Sequence, residues 1–202
     1  QIPLGDKTSE PINIGTTHVH HFYTKRNLIA LAKVYSLLGS NQTKFLFTGF
    51  IGGATKLNQL HLKNYIFGGG GVNPGPRKGV IYSPSISLES SVPKILMERL
   101  KTQIRAFQSL KLSQVNRFLV TTGSAARLFD NEKFANSLDY VFIDPPFGSN
   151  LMYSELSHTW ESWLNVFTNN IEEAIENKTQ KKSVDEYRIL MTKCFANIYF
   201  LL

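Results

Sequence analysis

The sequence predicts an α/β fold. Three features predict it: an apolar run that two prolines stop, a second β-type run upstream, and helical hydrophobic periods on either side. Residues 139–144, Asp-Tyr-Val-Phe-Ile-Asp, place four hydrophobics between two carboxylates, the pattern of a strand buried on both faces of a parallel sheet. Pro145 and Pro146 end that strand, because neither can donate to a ladder. In an open α/β sheet the loop outside a strand's carboxyl end is where ligands bind, so Asp144-Pro145-Pro146-Phe147 marks a candidate site. From average residue usage, this tetrapeptide should arise by chance in roughly one chain of this length in a thousand.

The remaining elements follow in order. Residues 1–17 lack periodicity and read as a linker or arm. His18, His20 and His21 come next, with no matching Cys or carboxylate cluster, so a phosphate or interface contact is expected of them rather than a metal. Thr24 can cap a helix reaching about Leu38, with Leu28, Leu31, Ala32, Tyr35 and Leu38 on one face. Residues 44–60 read as a helix or strand, and 68–79 as a Gly- and Pro-rich loop carrying Arg77 and Lys78. A short strand is expected at Gly79–Tyr82. Ser91 and Pro93 then open a helix to about Leu110, with Leu96, Leu100, Ile104 and Phe107 turned inward.

Arg117–Thr122 is the upstream strand. After the motif, Tyr153–Leu164 reads as a helix whose Trp160 and Trp163 serve the core or an interface. The last helix opens with a capping box, Ser183 with Glu186, and repeats Tyr187, Leu190, Met191, Cys194, Phe195 and Ile198 at helical spacing. The chain thus divides into an arm (1–17), a basic region (18–90) and a half carrying the motif (91–202).

A carboxylate followed by two prolines and an aromatic ring suits one reaction well, the methylation of an exocyclic amino group on a nucleobase. That nitrogen is conjugated into its ring and is a poor nucleophile. Hydrogen bonds from its two protons to the Asp144 carboxylate and to a proline-fixed carbonyl would pull it toward tetrahedral geometry and free its lone pair. Phe147 could stack on the base, which must leave its helix to be reached.

On these residues the chain resembles the amino-methyltransferases of nucleic acids, whose hallmark is Asp/Asn/Ser-Pro-Pro-Tyr/Phe; an Asp in first place is commoner in the adenine-N6 enzymes than in the cytosine-N4 enzymes. His20 to Asn27, Lys44 to Thr48 and Asp144 to Leu156 also look like segments of bacterial DNA methylases of restriction–modification systems. The resemblance covers the chain from about residue 18 to its end. It implies a partial Rossmann-like class I methyltransferase sheet with an inserted basic, partly helical region. It also implies S-adenosylmethionine as cofactor, Asp144, Pro145, Pro146 and Phe147 as catalytic residues, and DNA as substrate. Asn150 and Tyr153, close behind the motif, could contact the base.

The methyl donor is less well provided for. Related enzymes carry Phe-x-Gly-x-Gly after the first strand, and Phe47-Thr48-Gly49-Phe50-Ile51 puts isoleucine at the second glycine. No acidic residue follows about 20 positions on to hold the ribose. At Thr122-Gly123-Ser124-Ala125 the related enzymes have Gly-Asp-Ala against the donor's adenine; Gly123 and Ser124 are the counterparts here, with Ser124 replacing the Asp. The expectation is a fragment that is inactive alone and completed by the remainder of the same methylase, with restriction–modification subunits as further partners.

Charge separates the two halves. From Pro11 to Leu88 there is no Asp or Glu, and eight lysines and arginines stand there: Lys25, Arg26, Lys33, Lys44, Lys56, Lys63, Arg77 and Lys78. From Glu89 onward, thirteen basic residues balance thirteen acidic ones, so the excess behind the net charge of +7 lies early in the chain. A basic half beside a neutral one is what phosphate-backbone binding requires, and Lys25, Arg26, Lys44, Lys56, Arg77 and Lys78 are the expected contacts. With 42% hydrophobic residues the chain can bury a core. A single cysteine and no apolar run of about 18 residues argue for a cytoplasmic protein without a membrane span. An RNA guanine-N2 methyltransferase, which can carry the same motif, and a non-catalytic DNA-binding subunit are the alternatives.

Overall fold

The computed structural model describes residues 1–69, 76–110, 120–127 and 135–202, and in them the chain is helical. The helices are α1 (Ser9–Asn13), α2 (Lys25–Ser36), α3 (Asn41–Thr48), α4 (Leu62–Phe67), α5 (Val92–Ser109), α6 (Tyr153–Leu164) and α7 (Val184–Leu201). Among the described residues the only β pairings are two isolated bridges, Gln59 with Ser87 and Asn177 with Lys182. The expected α/β architecture, with its partial Rossmann-like class I methyltransferase sheet, is therefore corrected to a helical one.

The strand-like runs have β composition but no ladder. Tyr140–Ile143 is unpaired, and Phe142 is 80% exposed where a strand covered on both faces was expected. The backbone just before it is committed elsewhere: the Asn136 N–H donates to the Phe200 carbonyl, and those of Ser137 and Leu138 to the Leu201 carbonyl, at 3.1, 2.8 and 3.0 Å. A helix leaves the carbonyls of its last turn without an internal partner, and α7 satisfies two of its own in this way. Strand preference measures fit to a pleated, half-buried surface, so an apolar run without neighbouring strands decides little. Val120–Thr122 is likewise unpaired, while 117–119, the rest of that expected strand, lie outside the described residues, as do 70–75 of the Gly-rich loop. At Gly79–Tyr82, Gly79 lies in a turn at φ +73° and Val80–Tyr82 form no strand.

The helices form where local signals placed them. The Thr24 hydroxyl accepts the Asn27 N–H at 3.2 Å and starts α2, whose Leu31 is fully buried. Ser40 and Thr43 close a capping box on α3. This helix and the 3₁₀ turn Ile51–Ala54 carry Phe47, Phe50, Ile51 and Ala54 into the core, so the glycine-containing stretch around them is a packing element. From α6, Trp163 packs against the rings of Tyr23, Tyr35 and Phe47 at 6.0, 5.7 and 5.2 Å. Its indole N–H donates to the Tyr23 hydroxyl at 3.2 Å, and burial pushes that phenol up to about 12.

Helix α5 departs from expectation at its far end. Val92 is buried and Leu96 packs on the core, but Ile104 and Phe107 face outward. Eighteen residues span about 27 Å, and only the first part of α5 lies over α2 and α3. The first seventeen residues are packed rather than free. Ile2 is buried with its N–H on the Thr17 carbonyl at 2.9 Å, and the Asp6 carboxylate accepts from the Thr179 hydroxyl and from the Thr179 and Lys178 amides. The Thr179 hydroxyl above all holds Asp6 below the usual carboxylate range.

Between the N-terminal segment and the 177–180 turn sits Glu155, 0% exposed. Its carboxylate accepts from the Lys7 N–H at 2.6 Å, the Asn177 amide at 2.5 Å and the Gln180 amide at 3.1 Å. Gly5 passes so close that a Cβ there would lie 2.0 Å from the Glu155 carboxyl carbon. Beside it, the His158 ring donates from Nδ1 to the Glu155 carbonyl, and burial pushes its imidazole below the usual range. Replacing Glu155 with Ala strands three donors, which should lower the unfolding free energy by about 3 kcal/mol or more. Urea denaturation checks this; a loss below about 1 kcal/mol would mean that the donors find other partners.

Candidate functional site

The residues around Asp144-Pro145-Pro146 form a concavity of about 340 Å³, within the range of small-molecule sites. One wall is the turn Gly123–Ala125, a second is Ile143–Pro146, a third is Glu172–Ala174, and the fourth is α7. Each wall is fastened. The Ser124 carbonyl accepts the Arg127 N–H at 3.0 Å, and Asn197 of α7 donates to the Ala125 carbonyl at 3.0 Å. Glu173 grips the start of α6 by accepting the Ser154 N–H at 3.0 Å and the Ser154 hydroxyl at 2.5 Å, a carboxylate at a helix N-terminus where the dipole favours it. Lys182 donates to the Asn170 and Glu173 carbonyls, and burial lowers its ammonium below the usual lysine range.

The motif itself is held from α7. The Tyr187 hydroxyl donates to the Pro146 carbonyl at 2.9 Å. Beyond it, Gly148 takes φ +53°, a left-handed conformation that glycine adopts without penalty, and the Asn150 N–H closes the turn on the Phe147 carbonyl at 3.0 Å. Asp144 is exposed and Phe147 is 64% exposed. Among the described residues no donor reaches the Asp144 carboxylate or the Pro145 carbonyl, so both remain open to a ligand's N–H groups.

Four motif residues and the two donor-side residues, Gly123 and Ser124, were expected to share a site. Asp144, Pro145, Pro146, Gly123 and Ser124 line this one concavity; Phe147, next in sequence, does not line it. Asn150 and Tyr153 do not line it. Sequence reasoning missed Met191, Cys194, Phe195 and Ile198, which line the α7 wall. Their helical spacing was visible but reads equally as a core stripe; what makes it a site wall is the turn at 123–125, far away in sequence. Burial raises the Cys194 thiol above its usual range. Among the described residues Asp144, Glu172 and Glu173 line this concavity and no Lys or Arg does, although Arg127 pairs with Glu172 and the Glu173 carboxylate is engaged by Ser154. A cationic or neutral ligand fits such a lining better than a phosphate.

The basic residues do not gather here. Lys25 and Lys56 line a second concavity, Arg26 is paired with Glu89 at 2.9 Å, and Lys44 stands exposed on α3. Arg77 lies over the Tyr82 ring at 4.3 Å and donates to the Gln59 side chain at 3.1 Å, with Lys78 exposed beside it. Among the described residues no group of three His, Cys, Asp or Glu side chains is arranged to hold a metal, and no helix is long and apolar enough to cross a membrane. Comparison of the chain with protein-family models, curated proteins and solved structures found no match.

Tyr187→Phe removes the bond to Pro146 alone. It should cost about 1 kcal/mol of stability and speed amide hydrogen exchange at Phe147–Asn150, measured by NMR; unchanged exchange there would show that α7 does not hold the turn.

Proposed function

We propose that this chain carries the catalytic segment of an S-adenosylmethionine-dependent DNA amino-methyltransferase, acting on adenine N6 before cytosine N4. The observation that carries the reading is that Asp144 and its prolines share one concavity with Gly123 and Ser124, residues that the sequence alone relates to the donor. Asp144 and the Pro145 carbonyl offer two acceptors to the two protons of an exocyclic amine, and those bonds strengthen as the nitrogen becomes tetrahedral. Phe147, exposed and next in sequence to Pro146, offers a face to an extruded base.

The residues present fit the cofactor. Met191, Phe195 and Ile198 give an apolar wall for an adenosine group beside Gly123 and Ser124, and the surrounding carboxylates suit a sulfonium cation. When bound, S-adenosylmethionine supplies an electrophilic methyl carbon. The Asp144 carboxylate and the Pro145 carbonyl would hold the amine's two protons while the nitrogen takes up the methyl group, and Asp144 would then release the displaced proton to water. Duplex DNA would be held through the basic residues of the first half, among them Lys25, Lys44, Lys56, Arg77 and Lys78. Other parts of a methylase and restriction–modification subunits are the partners this reading implies, and a cytoplasmic setting accords with it.

Methyl transfer from labelled S-adenosylmethionine to duplex DNA and to transfer RNA tests the proposal. With the chain joined to the remainder of the methylase, incorporation into DNA adenine is expected, falling by at least about 100-fold in Asp144→Ala while DNA affinity changes less than about threefold. Equal incorporation by the variant sinks the catalytic assignment. Transfer to guanine in RNA alone would favour an RNA guanine-N2 enzyme, and DNA binding without transfer a non-catalytic subunit.

A further inference from the structure

A second concavity, of about 630 Å³, opens between the 3₁₀ turn Val19–Phe22, the start of α2 and the loop at Ile14–Thr16. Among the described residues His20, His21, Lys25 and Lys56 line it, and no carboxylate does. We propose that it is a phosphate-binding subsite which, resting on the nucleic-acid reading above, takes one phosphodiester of the DNA backbone.

The geometry assembles its donors from both sides. Lys25 is the first residue of α2, and Lys56 is fixed opposite by its own N–H, which donates to the Phe22 carbonyl at 2.7 Å. Both side chains are exposed, and among the described residues neither lysine has an ion pair. Glu89, which reaches Thr24 of the lining, is engaged by the Thr24 hydroxyl at 2.5 Å and by Arg26, which also hold it below the usual carboxylate range. It therefore offsets Arg26 and leaves the two lysines uncompensated. His21 is also committed to one tautomer when neutral. Its Nδ1 accepts the Thr17 N–H at 3.2 Å, so its proton lies on Nε2 and serves as a donor. The His20 ring stands edge-on to it at 4.4 Å. Two ammonium groups and two imidazoles around a space free of carboxylates are suited to an oxyanion with several acceptors. The acidic lining at Asp144 suits the opposite class of ligand, so the two concavities divide the labour of binding a nucleotide: backbone here, base there.

The test is an amide chemical-shift titration of the 202-residue chain with inorganic phosphate and, separately, with a duplex DNA oligonucleotide at matched ionic strength. Both ligands should move the amides of His21, Lys25, Arg26 and Lys56. The double variant Lys25→Gln/Lys56→Gln, with an unchanged circular dichroism spectrum, should lose the phosphate response and reduce the slope of log Kd against log salt for DNA by about 2. Lys44→Gln, outside the concavity, should keep the phosphate response. DNA that shifts other basic residues while neither ligand moves these four amides overturns the subsite and leaves the nucleic-acid reading standing. Phosphate that moves the four amides while DNA binds nowhere supports a site for free phosphate and overturns the nucleic-acid reading instead.

Discussion

The buried carboxylate of Glu155 is the constraint on which the region around the candidate site depends. It sits in the first turn of α6, yet its three donors come from the N-terminal segment and from the 177–180 turn. A carboxylate cut off from water is costly unless its acceptor sites are filled, and filling them draws three separate stretches of chain together. The consequence reaches the motif. Once α6 is fixed, Ser154 beside Glu155 receives the Glu173 carboxylate, and the Glu172–Ala174 wall of the concavity follows. Lys182 then ties that wall to the segment leading into α7, which holds Pro146 through Tyr187.

What the sequence made legible is what local chemistry decides. Thr24 and the Ser183–Glu186 capping box fix helix starts by bonds spanning three residues, and α2 and α7 begin where those residues stand. Tyr153–Leu164 was readable from its periodicity and forms over that same span. The strands were not readable in the same way, because a strand exists through partners elsewhere in the chain. Tyr140–Ile143 has the composition of a buried strand, but the backbone before it bonds to the end of α7 and no ladder forms. The same limit hid half of the candidate site. Met191, Cys194, Phe195 and Ile198 could be placed on one helix face, but only the position of Gly123–Ala125 turns that face into the wall of a cavity.

Charge organises the remainder. The early excess of lysine and arginine could have formed a diffuse solvated face, and part of it does: Lys44 stands alone, and Arg26 is spent on Glu89. Lys25 and Lys56 are different because the turn at Val19–Phe22 brings them to one space with His20 and His21. The concavity at Asp144 has the opposite character, carboxylates against an apolar wall. Under the proposed function, a polyanion carrying neutral bases would satisfy both.

The most direct test of the account is a crystal structure of the protein with adenosine and S-adenosylhomocysteine. The account predicts the adenine amino group within hydrogen-bond distance of both the Asp144 carboxylate and the Pro145 carbonyl, with the sulfur-bearing ligand against Gly123, Ser124 and the α7 wall. Adenosine bound with its amino group turned away from Asp144, or both ligands bound outside this concavity, would contradict it.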